Sequence, residues 1–421
     1  MANSINLFTR KLAEGFTKSF ESKRNISKEV NTQLLNGRFG PGTGENVDFA
    51  RPIDVVTVRS SNGDITGQNP SDIITGKATG TVQDYITAYV DYDEADEALN
   101  MGTLEPLMDN IASRMVVDSE LSFCDFALKN TALVAGTVGT AVSTWDHVAE
   151  AGSILDATGV PMDGNWKYFT NPYVQRQLAS DQRSLGGETG SMSANERAVI
   201  SSNFAGLKVM TANTLSSYTT GTGADRAGTL SATPTATYLA AKDTMTMSIA
   251  VEAFQANLVV AAGETITVTG RYRLNLSTRQ PILDETGAQI LFSGTVTESV
   301  TLGASGEGTL VITGPAIYEA TGSYNTVASA LTSGDVVTLG GAASTVIQPN
   351  LFFHKDAFAI GSVPIKKLYS TDTIATTKDG MQIRISKGSD FLGNSQQVRF
   401  DFRPAYACLN PFFAGQGFGR V

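Results

Sequence analysis

The chain has 421 residues and a formal net charge of −10, because 41 Asp and Glu residues outnumber 31 Lys and Arg residues. A chain of this length suits two or three domains, each able to bury its own core. The acidic balance argues against a dedicated nucleic-acid binder, since contacts to phosphates take a surplus of Lys and Arg. Charged residues make up only 17% of the chain, which suits a protein whose surface is largely covered by neighbouring subunits.

The cysteines and the N-terminal segment indicate in which cellular compartment the protein is expected. Cys124 and Cys408 lie far apart in apolar surroundings, which predicts buried thiols in a reducing environment. The N-terminal segment lacks the apolar core of a secretory signal. No apolar run reaches the roughly 18 residues that a membrane-spanning helix needs. We therefore expect a soluble intracellular protein without membrane contact.

Residues 1–46 have the pattern of a basic amphipathic arm. Phe8, Leu12, Phe16 and Phe20 recur at helical spacing, with Lys and Arg residues between them. This pattern predicts a helix with one apolar face.

Residues 47–90 follow as two strand-like runs separated by a long polar stretch. These runs predict an extended hairpin. An isolated two-stranded ribbon is marginally stable in water, so we expect the tip of this hairpin to lie on a neighbouring subunit.

A long helix is predicted after the hairpin. Thr103 can serve as N-cap, Glu105 and Pro106 suit the first turn, and apolar residues then recur as far as Leu128. The helix would end near Lys129 and extend about 40 Å at 1.5 Å per residue. That length suits a spine that links distant parts of the molecule.

The first 44 residues are mainly basic, whereas residues 91–125 are mainly acidic. Two interpretations remain open. The segments form two solvated helix faces, or they meet between copies of the chain.

The remainder reads as a mixed α/β domain that a β-rich block interrupts. Helices and strands alternate at first, then short alternating runs rich in Gly, Thr and Ser predict a barrel or sandwich, and the mixed pattern returns near the C-terminus. The predicted organisation is an N-terminal arm at 1–46, an extended hairpin at 47–90, a peripheral domain with the spine helix at 91–136, the first part of an axial domain at 137–213, an inserted β-rich domain at 214–348, and the second part of the axial domain at 349–421.

The stretch PNLFFHKDAFAIGSVPI carries three ionisable residues in a row. If it is one strand, His354 and Asp356 share a face with Phe352, whereas Lys355 points to the opposite side. A catalytic histidine also needs a nucleophile or second base, which the sequence does not place nearby. We therefore predict that His354 and Asp356 form a structural pair.

Motifs for other chemistry do not occur in the sequence. His147 is the only other histidine, so no zinc-binding spacing exists. The calcium-loop, phosphate-loop and dinucleotide-binding patterns do not occur either. We predict no catalytic residue, no cofactor and no bound metal. Lys77, at the predicted hairpin tip, is either a solvated lysine or the donor of an amide cross-link to an Asn of a neighbouring copy.

The order of these elements resembles the major capsid protein of tailed double-stranded-DNA bacteriophages, whose shape is called the Johnson fold. The run NLFFHKDAFAIGSVPI is similar to a strand of the axial domain in that family, and TWDHVAEAGSILDATGVP with WKYFTNP is similar to that domain's first helix and strand. The β-rich insertion resembles the branch found in short-tailed phages. The resemblance implies an α+β capsid fold with an N-terminal arm, an extended hairpin, a spine helix, an axial domain and an inserted barrel-like domain.

The resemblance also implies a mechanical function. Copies would form the pentamers and hexamers of an icosahedral shell in the virion, made in the host cytoplasm, first as a precursor around a scaffolding protein. A portal protein and a decoration protein are further expected partners, and packaged DNA would be contacted only weakly and without sequence preference. The inserted domain would stabilise the subunit or bridge capsomers. The residues expected at contacts between subunits are Phe8, Leu12, Phe16, Phe20, Arg24, Val55, Val58, Lys77 and Tyr85.

Three alternatives to a phage capsid protein are kept. An encapsulin-like nanocompartment shares the fold, although such shells usually lack a β insertion of this size. A β-rich surface or decoration protein fits the Thr-rich and Gly-rich block but not the long helix. An enzyme is least favoured, because the sequence shows no catalytic set.

Overall fold

A computed structural model of the chain describes residues 3–35, 39, 44–55, 57, 59–67, 73–93, 105–184, 198, 200–201, 203–320, 322–369, 372–390, 392–393 and 395–420. The chain divides into two compact units. Unit 1 comprises Met1–Asp48, Thr79–Cys124 and Phe358–Ala407, and unit 2 comprises Phe49–Ala78, Asp125–Ala357 and Cys408–Val421.

Helices and strands both occur in the described residues, and the predicted α+β class is confirmed. The helices are α1 (Asn3–Lys23), α2 (Glu105–Lys129), α3 (Trp145–Thr158), α4 (Pro172–Ser184) and α5 (Tyr238–Ala241). The strands are β1 (Asn46–Ala50), β2 (Lys77–Val82), β3 (Ile86–Asp93), β4 (Leu133–Ala135), β5 (Trp166–Thr170), β6 (Lys208–Thr211), β7 (Tyr218–Thr219), β8 (Ala227–Leu230), β9 (Thr246–Glu252), β10 (Val259–Val260), β11 (Thr265–Tyr272), β12 (Leu291–Val296), β13 (Val300–Thr301), β14 (Gly308–Thr313), β15 (Val336–Leu339), β16 (Val346–Ile347), β17 (Asn350–His354), β18 (Phe358–Ser362), β19 (Thr373–Thr376), β20 (Gln382–Asp390), β21 (Ser395–Phe402), β22 (Pro404–Cys408) and β23 (Ala414–Gly417).

In unit 1, helix α1 packs on a four-stranded sheet with the strand order β19-β20-β21-β3. Phe400 and Phe402 alternate along β21 and therefore share one face of this sheet. Phe16 and Phe20 are one helical turn apart and share one face of α1. The Phe16 ring stacks on Phe400 with ring centroids 4.7 Å apart, and Phe20 meets Phe402 edge-on at 5.5 Å. These four rings form the core beneath the helix.

Helix α2 confirms the predicted long helix, although Thr103 lies outside the described residues. Its unit 1 portion buries Phe123, whose ring meets Tyr406 at 5.3 Å and Phe358 at 6.1 Å between centroids. The Tyr406 hydroxyl donates to the Ser119 carbonyl at 3.3 Å. The helix is therefore fixed to the β18 and β22 segments by an aromatic cluster with one polar tie.

Unit 2 contains a five-stranded sheet with the order β4-β23-β17-β5-β6. The outer pairs, β23 with β4 and β5 with β6, are parallel, and β17 pairs antiparallel with both of its neighbours. Strands β5 and β17 are buried along their whole length, as expected for the centre of a covered sheet. Helix α3 places Val148, Ala151 and Leu155 in the core on this sheet.

Unit 2 also contains a closed barrel of six strands in the order β11-β12-β14-β9-β8-β15. Its strands alternate between buried and exposed residues, as β9 and β15 show most clearly, and closure removes the free edges that an open sheet would present. The interior is apolar and includes Ile249, Ile266, Phe292, Leu310 and Val337. The predicted β-rich block therefore folds as a barrel, while its predicted boundaries at 214 and 348 stay a prediction.

Two local predictions are wrong. The second strand-like run of the predicted hairpin, GTVQDYITAYVDYD, is not one strand but two, because β2 pairs with β22 whereas β3 pairs with β21 in a different sheet. The run that begins at Asn350 is also not one strand, since β17 ends at His354 and a 3-10 turn over Lys355–Ala357 precedes β18. The alternation that placed His354 and Asp356 on one face of a strand therefore does not continue past His354.

Among the described residues, no helix combines the length and apolar character that a bilayer crossing requires.

Gly415 in β23 tests the packing of the five-stranded sheet. A Cβ atom at this position would lie 2.7 Å from Leu133 Cβ and 2.8 Å from the Leu133 carbonyl oxygen. Gly415→Ala should therefore destabilise the chain by about 1–3 kcal/mol through overpacking, measured as a lower midpoint in calorimetric unfolding. Gly388→Ala is the matched control, because a Cβ there meets nothing within 4 Å. Equal midpoints for the two variants would contradict this packing.

Candidate functional site

The described part of the N-terminal arm is held inside unit 1. The sequence predicts that Phe16 and Phe20 are buried against a neighbouring copy, but the structure buries both in their own unit, at 0% and 1% exposed. The reason is the apolar face of β21, which carries Phe400 and Phe402 towards α1. The side chains of Phe8 and Leu12 lie outside the described residues.

Glu120 on α2 is the centre of the contacts that fix the end of the arm. Its side chain is buried, at 2% exposed. Its carboxylate accepts hydrogen bonds from the backbone N–H groups of Asn25 at 3.1 Å, Ile26 at 3.0 Å and Ser27 at 3.2 Å. The Ser27 hydroxyl also donates to it. These donors begin a 3-10 turn over Ile26–Lys28, so the carboxylate caps the turn as an anion caps a helix N-terminus.

Arg24 extends this cluster to a third segment of the chain. Its Nε donates to the Ser27 hydroxyl at 2.9 Å, and its Nη2 donates to the Ser27 carbonyl at 2.7 Å. Its Nη1 lies 2.8 Å from Asp379 Oδ2. Burial lowers the pKa of Arg24, which the Asp379 and Glu120 carboxylates oppose. Arg24, predicted at a contact between subunits, is thus bonded within its own unit.

The two oppositely charged segments also meet within unit 1. Lys23 Nζ lies 2.6 Å from Asp109 Oδ2 and donates to the Asp109 carbonyl and to Ser113 Oγ. The bond to Lys23 lowers the pKa of Asp109. Because Asp109 is exposed, this pair contributes little to stability and mainly orients α1 on α2.

The base of the long loop is tied down within unit 2. Arg51 is buried, and its guanidinium donates to the carbonyls of Lys77 and Lys242 at 3.1 Å each and to the Leu409 carbonyl. Lys77 is the first residue of β2, so the prediction that it lies at a hairpin tip is wrong.

Three further contacts hold the loop at Asp54. Its carboxylate lies 2.5 Å from Arg279 Nη2, its backbone N–H donates to the Tyr324 hydroxyl at 2.8 Å, and its carbonyl accepts from Ser323 Oγ at 3.3 Å. The loop thus begins bonded to residues 323–324 and Arg279, in the predicted inserted block.

The remaining predicted contact residues differ in their exposure. Val55 and Tyr85 are about half exposed, at 54% and 51%. Tyr85 lies under the Arg403 guanidinium, whose Cζ is 5.0 Å from the ring centroid. Val58 lies outside the described residues.

His354 has a closer carboxylate partner than the predicted Asp356. Its Nε2 lies 3.0 Å from Asp163 Oδ1, whereas Nδ1 is 3.9 Å from Asp356 Oδ2. The Asp356 backbone N–H donates to Nδ1 at 3.2 Å, which assigns the ring proton to Nε2 as the donor to Asp163. Hydrogen bonds from Asn165 first, and from His354, lower the pKa of Asp163 to about 2.

The contact to Asp163 could not be found from the sequence. Asp163 lies in a turn nearly two hundred residues before His354, and only the antiparallel pairing of β17 with β5 brings the two together. Glu120 was missed for a similar reason. It is one of several acidic residues on helix α2, and the apolar spacing of the helix does not distinguish it from the exposed ones. The signal that could have found it is an acidic residue among the positions that the helix buries.

The described residues contain no group of three or more His, Cys, Asp or Glu side chains that could hold a metal ion. Neither cysteine forms a disulfide bond. Burial raises the pKa of Cys408 to about 12, so this thiol is protonated and unreactive at neutral pH.

The clusters described above all join distant segments of one chain. The sequence matches a family model described as P22 coat protein, gene protein 5, over residues 1–419. It is 33% identical to the major capsid protein of Acyrthosiphon pisum secondary endosymbiont phage 1 over 425 residues, which covers 100% of both chains. The chain therefore belongs to the P22 coat protein family, and it is a major capsid protein of a phage.

Solved structures show a more distant likeness. The structure from Mycobacterium phage Che8 has a TM-score of 0.49 at 13% identity and covers 93% of this chain and 90% of that chain. The capsid structure of Cyanophage P-SCSP1u has a TM-score of 0.49 at 10% identity and covers 95% of this chain and 89% of that chain.

Replacing Glu120 tests the cap on the arm. Glu120→Gln should destabilise the chain by about 2 kcal/mol or more, because a buried amide group replaces one charged acceptor oxygen. Chemical denaturation measures the loss, and trypsin should cleave faster at Arg24 and Lys28. Asp118→Asn, which makes the same charge change at an exposed position of α2, should leave both readouts unchanged. An unaltered Glu120→Gln chain would contradict the cap.

The lowered pKa of Asp163 predicts that the stability of the fold depends on pH. Its folded pKa, about 2, lies below the ordinary value, so its contribution to stability is present above that ordinary value and is lost as the pH falls towards 2. Asp163→Asn should lower the unfolding midpoint at pH 6, and the gap to the parent chain should narrow as the pH falls from about 5 to about 3. Thermal scans at matched ionic strength measure this gap. A difference between the two midpoints that does not change with pH would contradict a stabilising role of the Asp163 carboxylate.

Proposed function

We propose that copies of this chain assemble into the pentamers and hexamers of an icosahedral shell that encloses double-stranded DNA. The observation that carries this proposal is the match to the P22 coat protein family, which runs from the first residue to residue 419. The shell forms first as a precursor around a scaffolding protein and matures when DNA is packaged. The assembled chain is part of the virion and is made in the cytoplasm of the host.

The partners follow from the same assignment. A portal protein completes the shell, and a decoration protein is a further candidate outside it. The net charge of −10 supports only weak, non-specific contact with the packaged DNA, because tight phosphate binding takes clustered Lys and Arg. The chain has a structural role and no enzymatic one, which agrees with the capsid role of its relative.

The predicted division of the chain fits this function. The arm at 1–46, the hairpin at 47–90 and the peripheral region at 91–136 supply lateral contacts, with Phe8, Leu12, Val55, Val58, Lys77 and Tyr85 as candidate contact residues. The axial domain at 137–213 and 349–421 packs around the local symmetry axis. The inserted domain at 214–348 stabilises the subunit or bridges capsomers. The family match favours this function over an encapsulin-like compartment or a surface protein.

Exposed apolar side chains support contacts between copies. Leu392, between β20 and β21, is 94% exposed, and Tyr173, Tyr89 and Ile73 are each more than 70% exposed. Such side chains contribute little to the fold of a single chain. Aromatic residues such as Tyr173 and Tyr89 are enriched at interfaces relative to the rest of a protein surface.

Leu392 provides the assembly test. The purified full-length chain should form closed shells or capsomer lattices in negative-stain microscopy, and Leu392→Asp should reduce the assembled fraction in sedimentation velocity at least about tenfold, the effect of about 1.4 kcal/mol at a contact. The far-UV circular dichroism should not change.

Leu392→Met is the matched control, because it keeps an apolar side chain of similar volume, and it should assemble like the parent chain. A parent chain that stays dispersed at every concentration and with co-expressed scaffolding protein would overturn the proposed function. Normal assembly of Leu392→Asp would show that Leu392 does not lie at a contact between copies.

A further inference from the structure

A cleft of about 250 Å³ lies within unit 2, where helix α3 meets the barrel strands β11 and β12. Its polar lining consists of Arg273, Ser293, Thr158 and Thr267. Leu291, on the rim, is partly exposed, so the cleft can be reached from solvent. The apolar walls are Val134, Ile154, Ile282, Ile290 and Leu291.

Arg273 is a buried cation without an acidic partner in the described chain. It is 4% exposed, and its Nη2 donates to the Ala132 carbonyl at 2.8 Å and to the Ser293 carbonyl and hydroxyl at 2.9 Å each. These bonds occupy only one of the three guanidinium nitrogens. In the part of the chain that the structure describes, the hydrogen bonds of this side chain all come from Nη2, and no carboxylate acts on its pKa. Burial lowers the pKa of Arg273 to about 10, so the group stays charged at neutral pH.

Thr158 is a second unsatisfied group that lines the same cleft. It is 1% exposed, and its hydroxyl has no hydrogen-bond partner in the part of the chain that the structure describes. A buried hydroxyl without a partner and a buried charge without a counter-charge are both costly, so each normally has a partner. The remaining N–H donors of Arg273 and the hydroxyl of Thr158 therefore favour one negatively charged acceptor in the cleft.

We infer that this cleft binds a carboxylate group carried on a short aliphatic stem. The guanidinium supplies the charge that recognises a carboxylate. The apolar walls next to it, with Ile282 and Ile290, suit the stem. The volume is below the roughly 300–1,000 Å³ of sites for drug-sized ligands, which favours an acidic side chain or a small organic acid. This inference does not depend on the proposed assembly.

Butanoate is the probe for this site in the dispersed full-length chain. Saturation-transfer NMR and the unfolding midpoint should show saturable binding of butanoate, whereas chloride at equal ionic strength should show none. Arg273→Met should weaken binding at least tenfold. Thr158→Val, which keeps the side-chain shape and removes only an unpaired hydroxyl, should fold normally and weaken binding several-fold. Butanoate that binds no better than chloride, or phosphate that binds in its place, would overturn the inference.

A second variant pair remains informative if Arg273→Met does not fold. Ile290 is paired with Arg273 through a backbone hydrogen bond of 2.9 Å and lines the same cleft. Ile290→Glu should place a carboxylate of the chain itself in the cleft, abolish butanoate binding and raise the midpoint relative to Ile290→Gln at pH 7. The difference should vanish as the pH falls below about 4, where Glu is protonated. Equal midpoints at pH 7 would contradict a carboxylate site.

Assembled shells distinguish the source of the carboxylate. If a neighbouring copy supplies it, butanoate should bind the dispersed chain and not the shells. If a free acid is the ligand, both should bind it. Either result supports the site, whereas absence of binding to both forms overturns it.

Discussion

The buried carboxylate of Glu120 fixes the described end of the N-terminal segment on helix α2. It collects three backbone N–H groups and the Ser27 hydroxyl into one cap. Arg24 then joins Ser27 to Asp379. Since a buried charge is tolerated only when hydrogen bonds satisfy it, this cluster restricts how the segment around residues 24–27 can be arranged. The described part of the arm around these residues is therefore held by its own chain.

The same rule explains the surroundings of Asp401. Asp401 is fully buried and is bonded to Arg384, Arg399 and Thr87. Its pKa is lowered because these hydrogen bonds outweigh the effect of burial. A fully satisfied buried network of this kind makes the local structure rigid. Arg51 and Arg273 are both buried cations that donate to backbone carbonyls, and the described chain forms no ion pair with either of them.

Much of the fold could be predicted from the sequence, and the failures have physical causes. The helical spacing and the strong N-terminal signals placed helix α2, and the alternating runs placed most strands of the barrel. The break at Lys355–Ala357 was missed, because an apolar run does not show where a strand changes sheets. Burial of Phe16 and Phe20 was predicted correctly, but not what they pack on. The partner of Asp163 could not be found, because the pairing of β17 with β5 brings it to His354. Glu120 shows in the sequence only as an acidic residue at a position that the helix buries, and its partners are set by the tertiary fold.

Hydrogen exchange tests the central claim most directly. The amides of Asn25, Ile26 and Ser27 should be strongly protected in the dispersed, unassembled chain, because Glu120 of the same chain binds all three. Their protection should change little when shells form. Exchange at the rate of an unstructured peptide in the dispersed chain, with protection that develops only in shells, would show that neighbouring copies and not Glu120 organise the arm.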